Sequence, residues 1–181
     1  MKRHVAEAIA TQVITTQFMA GWLPSKVSPP RFLSSADLGT VIRLAPLIAI
    51  DFVARDEVLL GLRNNEPARN WYFIPGGMIL KNERLADAFS RLLKTETNYA
   101  TSIDDARFLG AFEHFYKNNR FGAPDYDTHY VVLGFEFKVS GTAEPKADDQ
   151  HGELRWWPLD ELMASDRVHK NTKAYFASAK T

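Results

Sequence analysis

Glu96 is the first residue in this sequence whose placement could do chemistry. A helix is predicted over residues 84 to 97, because apolar residues recur there at the spacing of one helical face: Leu85, Ala88, Phe89, Leu92 and Leu93. At about 100° per residue, position 96 returns to within about 20° of that face, which aims the carboxylate inward. A buried carboxylate is costly by itself, so Glu96 snorkels from the last turn, pairs with a basic residue or binds a cation.

The segment Pro75-Gly76-Gly77 precedes this helix and follows a short aromatic strand predicted at Trp71 to Ile74. Paired glycines let a ligand approach the chain closely and leave backbone carbonyls and amides facing it. A plain turn uses the same residue types. The three residues alone therefore leave two interpretations open, a turn and a ligand-binding loop.

The composition bounds the partners that such a site could serve. The 181 residues are 45% hydrophobic and 12% aromatic, which predicts one globular domain with a short appendage. The 22 basic residues equal the 22 acidic residues, so no overall field favours nucleic acid or an anionic membrane as a partner. The absence of cysteine excludes disulfides, thiolate metal sites and cysteine nucleophiles, and it favours a reducing, cytoplasmic location.

Residues 1–30 are predicted to form an N-terminal helical extension and linker, and residues 31–181 to form the main domain. A rough helical stripe over residues 5 to 20 ends before Pro24, Pro29 and Pro30. Polar residues interrupt that stripe throughout, which argues against a signal peptide or a membrane span.

The remaining pattern predicts the strands and helices that must position the site. Aliphatic runs at Leu47 to Ala54 and Val58 to Leu62 predict a strand pair joined by a tight turn at residues 55–57. Further elements are expected as strands at Arg107 to Tyr116, Thr128 to Val139 and Glu153 to Trp157, and as helices near 158–164 and 167–178. Strands around one central helix, with other helices at the end, predict an α/β (α+β) fold, a mixed α/β sandwich.

The glycines and the helix combine into a known spacing. Gly77, Glu83, Arg91 and Glu96 are separated by five, seven and four residues. This resembles the Nudix box: Gly, five residues, Glu, seven residues, Arg-Glu, an aliphatic residue, any residue, Glu-Glu, any residue, Gly and an aliphatic residue. The resemblance implies a Nudix-type α/β/α sandwich with a mixed central sheet.

The match to the box is partial. Leu92 and Thr95 stand where the box has carboxylates, and Asn98 stands where it has glycine. A typical Nudix helix gathers several carboxylates around more than one magnesium ion, whereas this helix could support only one.

Beyond the box, the chain from about Phe32 to Phe176 resembles the GDP-mannose mannosyl hydrolase branch of the Nudix hydrolases, which also lacks these two carboxylates. The segments that carry the resemblance are Pro46-Leu47 through Asp51-Phe52, Leu59-Leu60-Gly61 with Arg63, Trp71 to Gly77, His114-Phe115-Tyr116, Thr128 to Gly134, Gln150-His151 with Arg155-Trp156, and Ala164-Ser165-Asp166 with Val168-His169. It implies hydrolysis of GDP-mannose or GDP-glucose to GDP and free hexose, by attack of water at the anomeric carbon with inversion.

The resemblance also implies one Mg²⁺ per active site, which Mn²⁺ could replace. Its ligands would be the backbone carbonyl of Gly76, the carboxylate of Glu96 and the side-chain carbonyl of Gln150, all of them the hard oxygen donors that magnesium prefers. His151 would be the general base, since an imidazole with a pKa of about 6.5 accepts a proton at neutral pH. Its sequence context alone, between Asp148-Asp149 and Gly152, favours a solvated loop histidine instead.

Four further residues match positions that the branch uses at its substrate. Arg63 and Tyr130 match residues directed toward the phosphates, and they are otherwise an ion-pair residue and a packed strand residue. Asp51 and His114 match residues near the sugar, and they are otherwise an edge-strand carboxylate and a packed strand residue. No catalytic role is expected for the other histidines, His4, His129 and His169.

Met78 follows the paired glycines directly, where the branch has an arginine that helps the diphosphate to leave. A nearby cation could substitute for it: Arg69, Lys81 or Arg84. The departure leaves two other functions open, a Nudix pyrophosphatase that cleaves at phosphorus and a non-catalytic nucleotide-sugar-binding module. The resemblance further implies a homodimer, with exchanged contacts at the N-terminal helix and at strands expected near residues 32 to 45.

Overall fold

Two β-sheets and four α-helices make up the part of the chain that the computed structural model describes, residues 32–54, 57–139, 145 and 151–177. The predicted N-terminal extension and Gln150 lie outside these residues. Within them, no helix has both the length and the apolar character that a membrane crossing requires.

Apart from a helix at Ser35–Leu44 and a strand at Gly76–Met78, the helices and strands follow one another in the order that the sequence predicts. The helices are α1 (Ser35–Leu44), α2 (Leu85–Thr97), α3 (Leu159–Ala164) and α4 (Lys170–Ala177), with a 3₁₀ turn at Ile103–Asp105. The strands are β1 (Leu47–Ala54), β2 (Val58–Arg63), β3 (Tyr72–Phe73), β4 (Gly76–Met78), β5 (Arg107–Tyr116), β6 (Thr128–Phe137) and β7 (His151–Trp157).

The larger sheet has four strands in the order β4-β1-β6-β5. Strand β1 is parallel to β6 and antiparallel to β4, and β5 is antiparallel to β6. The smaller sheet, β3-β2-β7, is antiparallel throughout. A mixed sheet with helices packed on it confirms the predicted mixed α/β sandwich.

Strands β1 and β2 do not pair with each other, so the predicted strand pair with a tight turn is wrong. Strand β1 lies between β4 and β6, and β2 lies between β3 and β7 in the other sheet. Nearly every residue of β1 is buried, and a run without polar alternation is typical of a central strand whose two neighbours come from elsewhere in the chain. Adjacency in sequence therefore predicted the wrong partner.

Residues 35–44 form helix α1, which corrects the strands expected near residues 32 to 45. The Ser34 hydroxyl caps the helix by accepting from the Asp37 backbone N–H at 3.1 Å. Leu38 and Ile42, four residues apart on one face, are buried against Leu47 at the start of β1. Capping and helical spacing together outweigh the strand tendency of this segment.

The core occupies both faces of the larger sheet. A cluster on one face joins α2 to the sheet through Ile50, Phe52, Phe89, Leu93 and Phe135. A second cluster joins Val53 to the smaller sheet and to the C-terminal helices through Leu60, Phe73, Trp157, Leu162 and Tyr175. Because side chains alternate along a strand, Asp51 points away from α2 and toward this second cluster.

Candidate active site

Asp51 is a buried carboxyl in β1, an interior strand of the larger sheet. Its Oδ2 accepts a hydrogen bond from the Tyr175 hydroxyl at 2.8 Å. Burial raises the pKa of Asp51 to about 7, although the bond from Tyr175 and the charge of Arg63 act to lower it. Gly134 lies beside Asp51 on β6 and makes room for Tyr175, since a Cβ there would stand 2.8 Å from the tyrosine ring.

His114 and Tyr130 lie directly opposite each other on β5 and β6. The His114 ring is buried, with its centroid 5.8 Å from that of Phe73 and 6.2 Å from that of Tyr175. Burial lowers the pKa of His114 to about 4, assisted by the nearby His169, so the imidazole is neutral at pH 7. Its Nε2 is buried without a hydrogen-bond partner in the described part of the chain.

Arg63 ends strand β2 and brings a positive charge to the same region. Its guanidinium carbon lies 5.9 Å from the centroid of the Phe73 ring, and Nη2 donates to Asn65 Oδ1 at 3.1 Å. Burial raises the pKa of Tyr130 and the charge of Arg63 lowers it, as the same charge does for Asp51. The structure thus brings Asp51, His114, Arg63 and Tyr130 into one cluster, built from strands of both sheets.

Gly76 and Gly77 lie in strand β4 rather than in a loop, which corrects the predicted break in the chain. Neither glycine has a positive φ, so the sequence needs glycine here for space and not for an unusual backbone shape. A Cβ on Gly76 would collide with the Asp51 carboxylate and the Ile50 carbonyl. Asp51 and Gly76 are paired residues of the β1–β4 ladder, so the buried carboxyl lies against the glycine segment.

The register of this ladder decides where the Gly76 carbonyl points. The Phe52 N–H donates to the Pro75 carbonyl at 2.9 Å. Hydrogen-bonded and non-hydrogen-bonded pairs alternate along an antiparallel ladder, so Gly76, the next residue, directs its carbonyl away from β1. Strand β4 is at the edge of its sheet in the described residues, so this carbonyl faces the open edge.

Glu96 is buried at the end of α2, as its helical position predicts. Its Oε1 lies 3.8 Å from the position that a Cβ on Gly77 would occupy. Leu92, where the box has a carboxylate, is buried even closer to that position, at 2.6 Å, and Thr95 is exposed. One carboxylate of α2 therefore lies beside the glycine segment.

Glu83 and Arg91 connect the start of the box to the same helix. Arg91 donates from Nε to Glu83 Oε1 at 2.6 Å and from Nη2 to Glu83 Oε2 at 2.8 Å. Arg91 Nη2 also donates to the Met78 carbonyl at 3.1 Å. The bonds from Arg91 are the largest cause of the lowered pKa of Glu83, so the pair is ionised. This clamp fixes β4 to α2 and sets the distance between the glycines and Glu96.

Asn98 ends helix α2 in the left-handed region, with φ of 67°. The box has glycine here, and asparagine is the next best residue for this conformation. Its departure from the box is thus conservative in structure.

The donors at this place suit a single magnesium ion better than a cluster of ions. They are a backbone carbonyl directed to an open edge and one buried carboxylate, which are hard oxygen ligands. Among the described residues, no group of three or more His, Cys, Asp or Glu side chains could hold a metal. The side chains of Gln150 and His151 lie outside the description, but the backbone of His151 begins β7 and pairs with Arg63.

Met78 packs partly buried against the cluster of Leu38, Ile42 and Leu47 that α1 forms with β1. An apolar side chain at this position therefore has a structural reason. Of the proposed substitutes, Arg69 donates to the Asn64 carbonyl at 2.9 Å, and Lys81 and Arg84 are exposed. Arg120 was not predicted as a site residue, yet its charge, like that of Arg63, acts against the burial that raises the pKa of Tyr130.

Several residues of the cluster were missed in the sequence: Tyr116, His169, Asn171 and Tyr175. Tyr116 follows His114 by two residues on β5, so strand alternation places both on one face. Asn171 and Tyr175 are four residues apart and both buried in α4, a spacing that is visible in the sequence but typical of ordinary core packing as well.

The chain is similar in sequence to a known protein family and to proteins of known name. The model of the NUDIX domain matches residues 44–178. The low-salt glycan biosynthesis protein Agl8 of Haloferax volcanii is 38% identical over 117 residues, which are 64% of this chain and 72% of that protein. The ADP-ribose pyrophosphatase of Methanocaldococcus jannaschii is 28% identical over 123 residues, 66% of each chain.

A solved structure agrees in fold. The MutT protein from Methanosarcina mazei Go1 has a TM-score of 0.59 at 18% identity, over 72% of this chain and 91% of that chain. At this identity, the likeness speaks for the fold alone, and it matches the predicted sandwich with a mixed sheet.

Proposed function

The chain belongs to the NUDIX domain family, and from that premise we propose that it hydrolyses a GDP-sugar, GDP-mannose or GDP-glucose, to GDP and free hexose. Water attacks the anomeric carbon, with inversion and with dependence on magnesium. The observation that carries the proposal is that the glycine segment of β4 adjoins two buried carboxyls, Glu96 of α2 beside Gly77 and Asp51 of β1 beside Gly76, with the neutral imidazole of His114 in the Asp51 cluster.

The surroundings of Asp51 and His114 suit an uncharged polyol. Both groups are buried, and the aromatic rings of Phe73 and Tyr175 adjoin His114. A neutral imidazole and a carboxyl offer hydrogen bonds to hydroxyl groups, whereas a phosphate favours cations. Arg63, a cation of this cluster at the end of β2, suits the diphosphate.

Magnesium would be held by the Gly76 carbonyl, the Glu96 carboxylate and the Gln150 amide carbonyl. When bound, it would neutralise part of the charge on the diphosphate. A small number of protein ligands is ordinary for magnesium, because substrate oxygens and water complete its shell.

The reaction then divides among the residues of the chain. His151 takes a proton from the attacking water, whose oxygen forms the new bond to the anomeric carbon. The bond from that carbon to the β-phosphate oxygen breaks, and its electron pair leaves with GDP. Arg63 and the protonated phenol of Tyr130 stabilise the departing anion. A single displacement inverts the anomeric centre.

A second candidate is a pyrophosphatase that cleaves at phosphorus. The 28% identical relative carries the name ADP-ribose pyrophosphatase, which favours this reaction. Against it, Leu92 and Thr95 replace the carboxylates that would hold further metal ions. The name of the 38% identical relative refers to glycan biosynthesis, which favours a nucleotide sugar as the substrate.

Hydrolysis in ¹⁸O-labelled water distinguishes the two bonds. Attack at carbon puts the label in the hexose and leaves GDP unlabelled, as read by mass spectrometry. Attack at phosphorus puts the label in a phosphate-containing product, and that result would overturn the proposal in favour of the pyrophosphatase. Binding of GDP-mannose without any turnover would favour the non-catalytic module.

A further inference from the structure

His169 is fixed beside the active site by the backbone on both sides of it. The Tyr72 N–H donates to the Arg167 carbonyl at 3.0 Å, and the His169 N–H donates to the Tyr72 carbonyl at 3.1 Å. These bonds make Val168 a parallel bridge partner of Tyr72, so residues 167–169 extend the edge of the smaller sheet. The position of His169 is therefore set by the fold and not by a free loop.

Three aromatic rings surround the imidazole of His169. Ring centroids lie 5.4 Å away for Trp71, 5.2 Å for Phe73 and 5.6 Å for Tyr116. Together these four side chains form what we call the aromatic recess. Trp71 is 41% exposed, so the recess is open at that side.

A hydrogen bond fixes which nitrogen of His169 carries the proton. The Asn171 backbone N–H donates to Nδ1 at 3.2 Å, so Nδ1 is an acceptor and the neutral ring is protonated at Nε2. Burial lowers the pKa of His169 to about 4, followed by the charges of Lys170 and Arg63, so the ring is neutral at pH 7. The Nε2–H has no hydrogen-bond partner among the described residues.

A second donor of the recess is oriented in the same way. The Asn171 side-chain amide donates to the Tyr116 hydroxyl at 3.3 Å, which occupies that oxygen as an acceptor. The hydroxyl proton of Tyr116 is left to donate elsewhere. By donating to both His169 and Tyr116, Asn171 leaves the Nε2–H of His169 and the hydroxyl proton of Tyr116 as the available donors.

The aromatic recess is continuous with the cluster of the proposed function. Phe73 contacts both His169 and His114, with centroids 5.2 and 5.8 Å away. The buried Nε2 of His114 lacks a hydrogen-bond partner in the described chain. The imidazoles of His114 and His169 therefore both lie beside the Phe73 ring. Neutral donors beside aromatic faces suit the hydroxyls and the carbon face of a sugar, whereas a phosphate requires positive charge.

We propose that His169 contacts the substrate, its Nε2–H donating to a hydroxyl of the hexose that lies against the aromatic recess. This assignment rests on the proposed function and extends it, because it gives His169 a part in sugar recognition. The nucleotide portion of the substrate does not enter the recess.

The test compares His169→Phe and His169→Gln with the wild type. Phenylalanine keeps the ring contacts with Trp71, Phe73 and Tyr116 but removes the donor, and glutamine restores an N–H. We expect His169→Phe to lower kcat/KM for GDP-mannose by about 10- to 100-fold, the effect of losing one hydrogen bond of a buried site. We expect His169→Gln to recover part of that loss.

Calorimetric titration with GDP in the presence of magnesium tests whether either substitution disturbs the site as a whole. The Kd of GDP should stay within about 2-fold of wild type in both variants, because GDP lacks the hexose. His129→Phe is the matched control: the His129 ring stacks on Phe115 at 4.3 Å, away from the recess, and turnover should be unchanged.

Other results would contradict either the assignment of His169 or the proposed function. If the wild type hydrolyses GDP-mannose and His169→Phe does so equally well, the assignment of His169 is wrong and the proposed function stands. A loss of GDP affinity in parallel with turnover also overturns it, because the residue would then support the whole site. Absence of hydrolysis by the wild type would overturn the proposed function and this assignment with it.

Discussion

The hydroxyl of Tyr175 donates a hydrogen bond of 2.8 Å to Oδ2 of the buried Asp51, and so connects helix α4 to strand β1, 124 residues earlier. The ring of Tyr175 also contacts that of Phe112, at 4.3 Å between centroids. The last described helix of the chain therefore completes a site whose other parts come from strands of both sheets. Without α4, Asp51 would lose the side-chain donor that compensates its burial.

Tyr175→Phe should destabilise the protein by about 1–3 kcal/mol, because it leaves an oxygen of Asp51 buried without that donor. Urea unfolding measures the change. The matched control is Tyr72→Phe, whose hydroxyl bonds to the exposed Glu153 at 3.3 Å and should cost less than about 1 kcal/mol. Equal losses in the two variants would contradict the importance of the Asp51 contact.

Gly76→Ala should cost more than about 2 kcal/mol, because its Cβ collides with the Asp51 carboxylate and with backbone that cannot move aside. Gly39→Ala is the control in helix α1, where a Cβ meets nothing closer than 3.5 Å. It should stabilise the protein by about 0.5–1 kcal/mol through helix propensity. If the urea midpoint decreased equally in both variants, the close approach of β1 and β4 would not be the cause of the destabilisation by Gly76→Ala.

His151→Gln and Glu96→Gln should separate the base from the metal site. We expect His151→Gln to lower kcat by on the order of 10²–10⁴-fold with little change in the magnesium concentration for half-maximal rate. Glu96→Gln should instead raise that magnesium concentration. Near-normal turnover of His151→Gln would remove His151 from the mechanism, and unchanged magnesium dependence of Glu96→Gln would remove Glu96 from the metal site.

Acid should destabilise the protein through His114 and His169; the raised pKa of Asp51 acts in the opposite direction, equally in wild type and in His169→Phe. Each has its pKa lowered from 6.5 to about 4 in the folded state, so between these values the unfolded chain binds more protons than the folded one. The stability present above about pH 6.5 is therefore lost as the pH falls toward about 4. Urea midpoints at about pH 7.5 and about pH 5 measure this, and His169→Phe should show the smaller decrease. Parallel decreases in variant and wild type would contradict the lowered pKa of His169.

The sequence predicted local elements better than their partners. The periodicity of α2 located Glu96 on its buried face, and the limits of β5 were predicted to the residue. Strands that are distant in sequence pair with each other, as β1 does with β6. The aliphatic residues of β1 do not specify which strands it pairs with. The expected strand pair failed for that reason.

Some residues of the candidate site could likewise be predicted from the sequence, and others could not. A regular motif made Gly76 and Glu96 visible, and an uncommon polar residue in an apolar strand marked Asp51. His169 and Tyr175 stand in a segment with the sequence pattern of an ordinary helix and the residues before it, so their positions beside Phe73 and Asp51 emerge only when the chain folds back on β3 and β1. Met78 stands where the resemblance implies an arginine, and its packing against α1, which the sequence did not predict, supplies a structural reason for an apolar residue there.

The proposed reaction is tested most directly by identifying the products that the protein forms from GDP-mannose with magnesium. Phosphorus and proton NMR, recorded while the reaction proceeds, report the phosphorus species and the anomer of the released sugar. We predict GDP together with β-mannose as the first sugar product, since one displacement inverts the α-linked carbon. Formation of GMP with mannose 1-phosphate would show that water attacks phosphorus and would contradict the proposed cleavage at carbon.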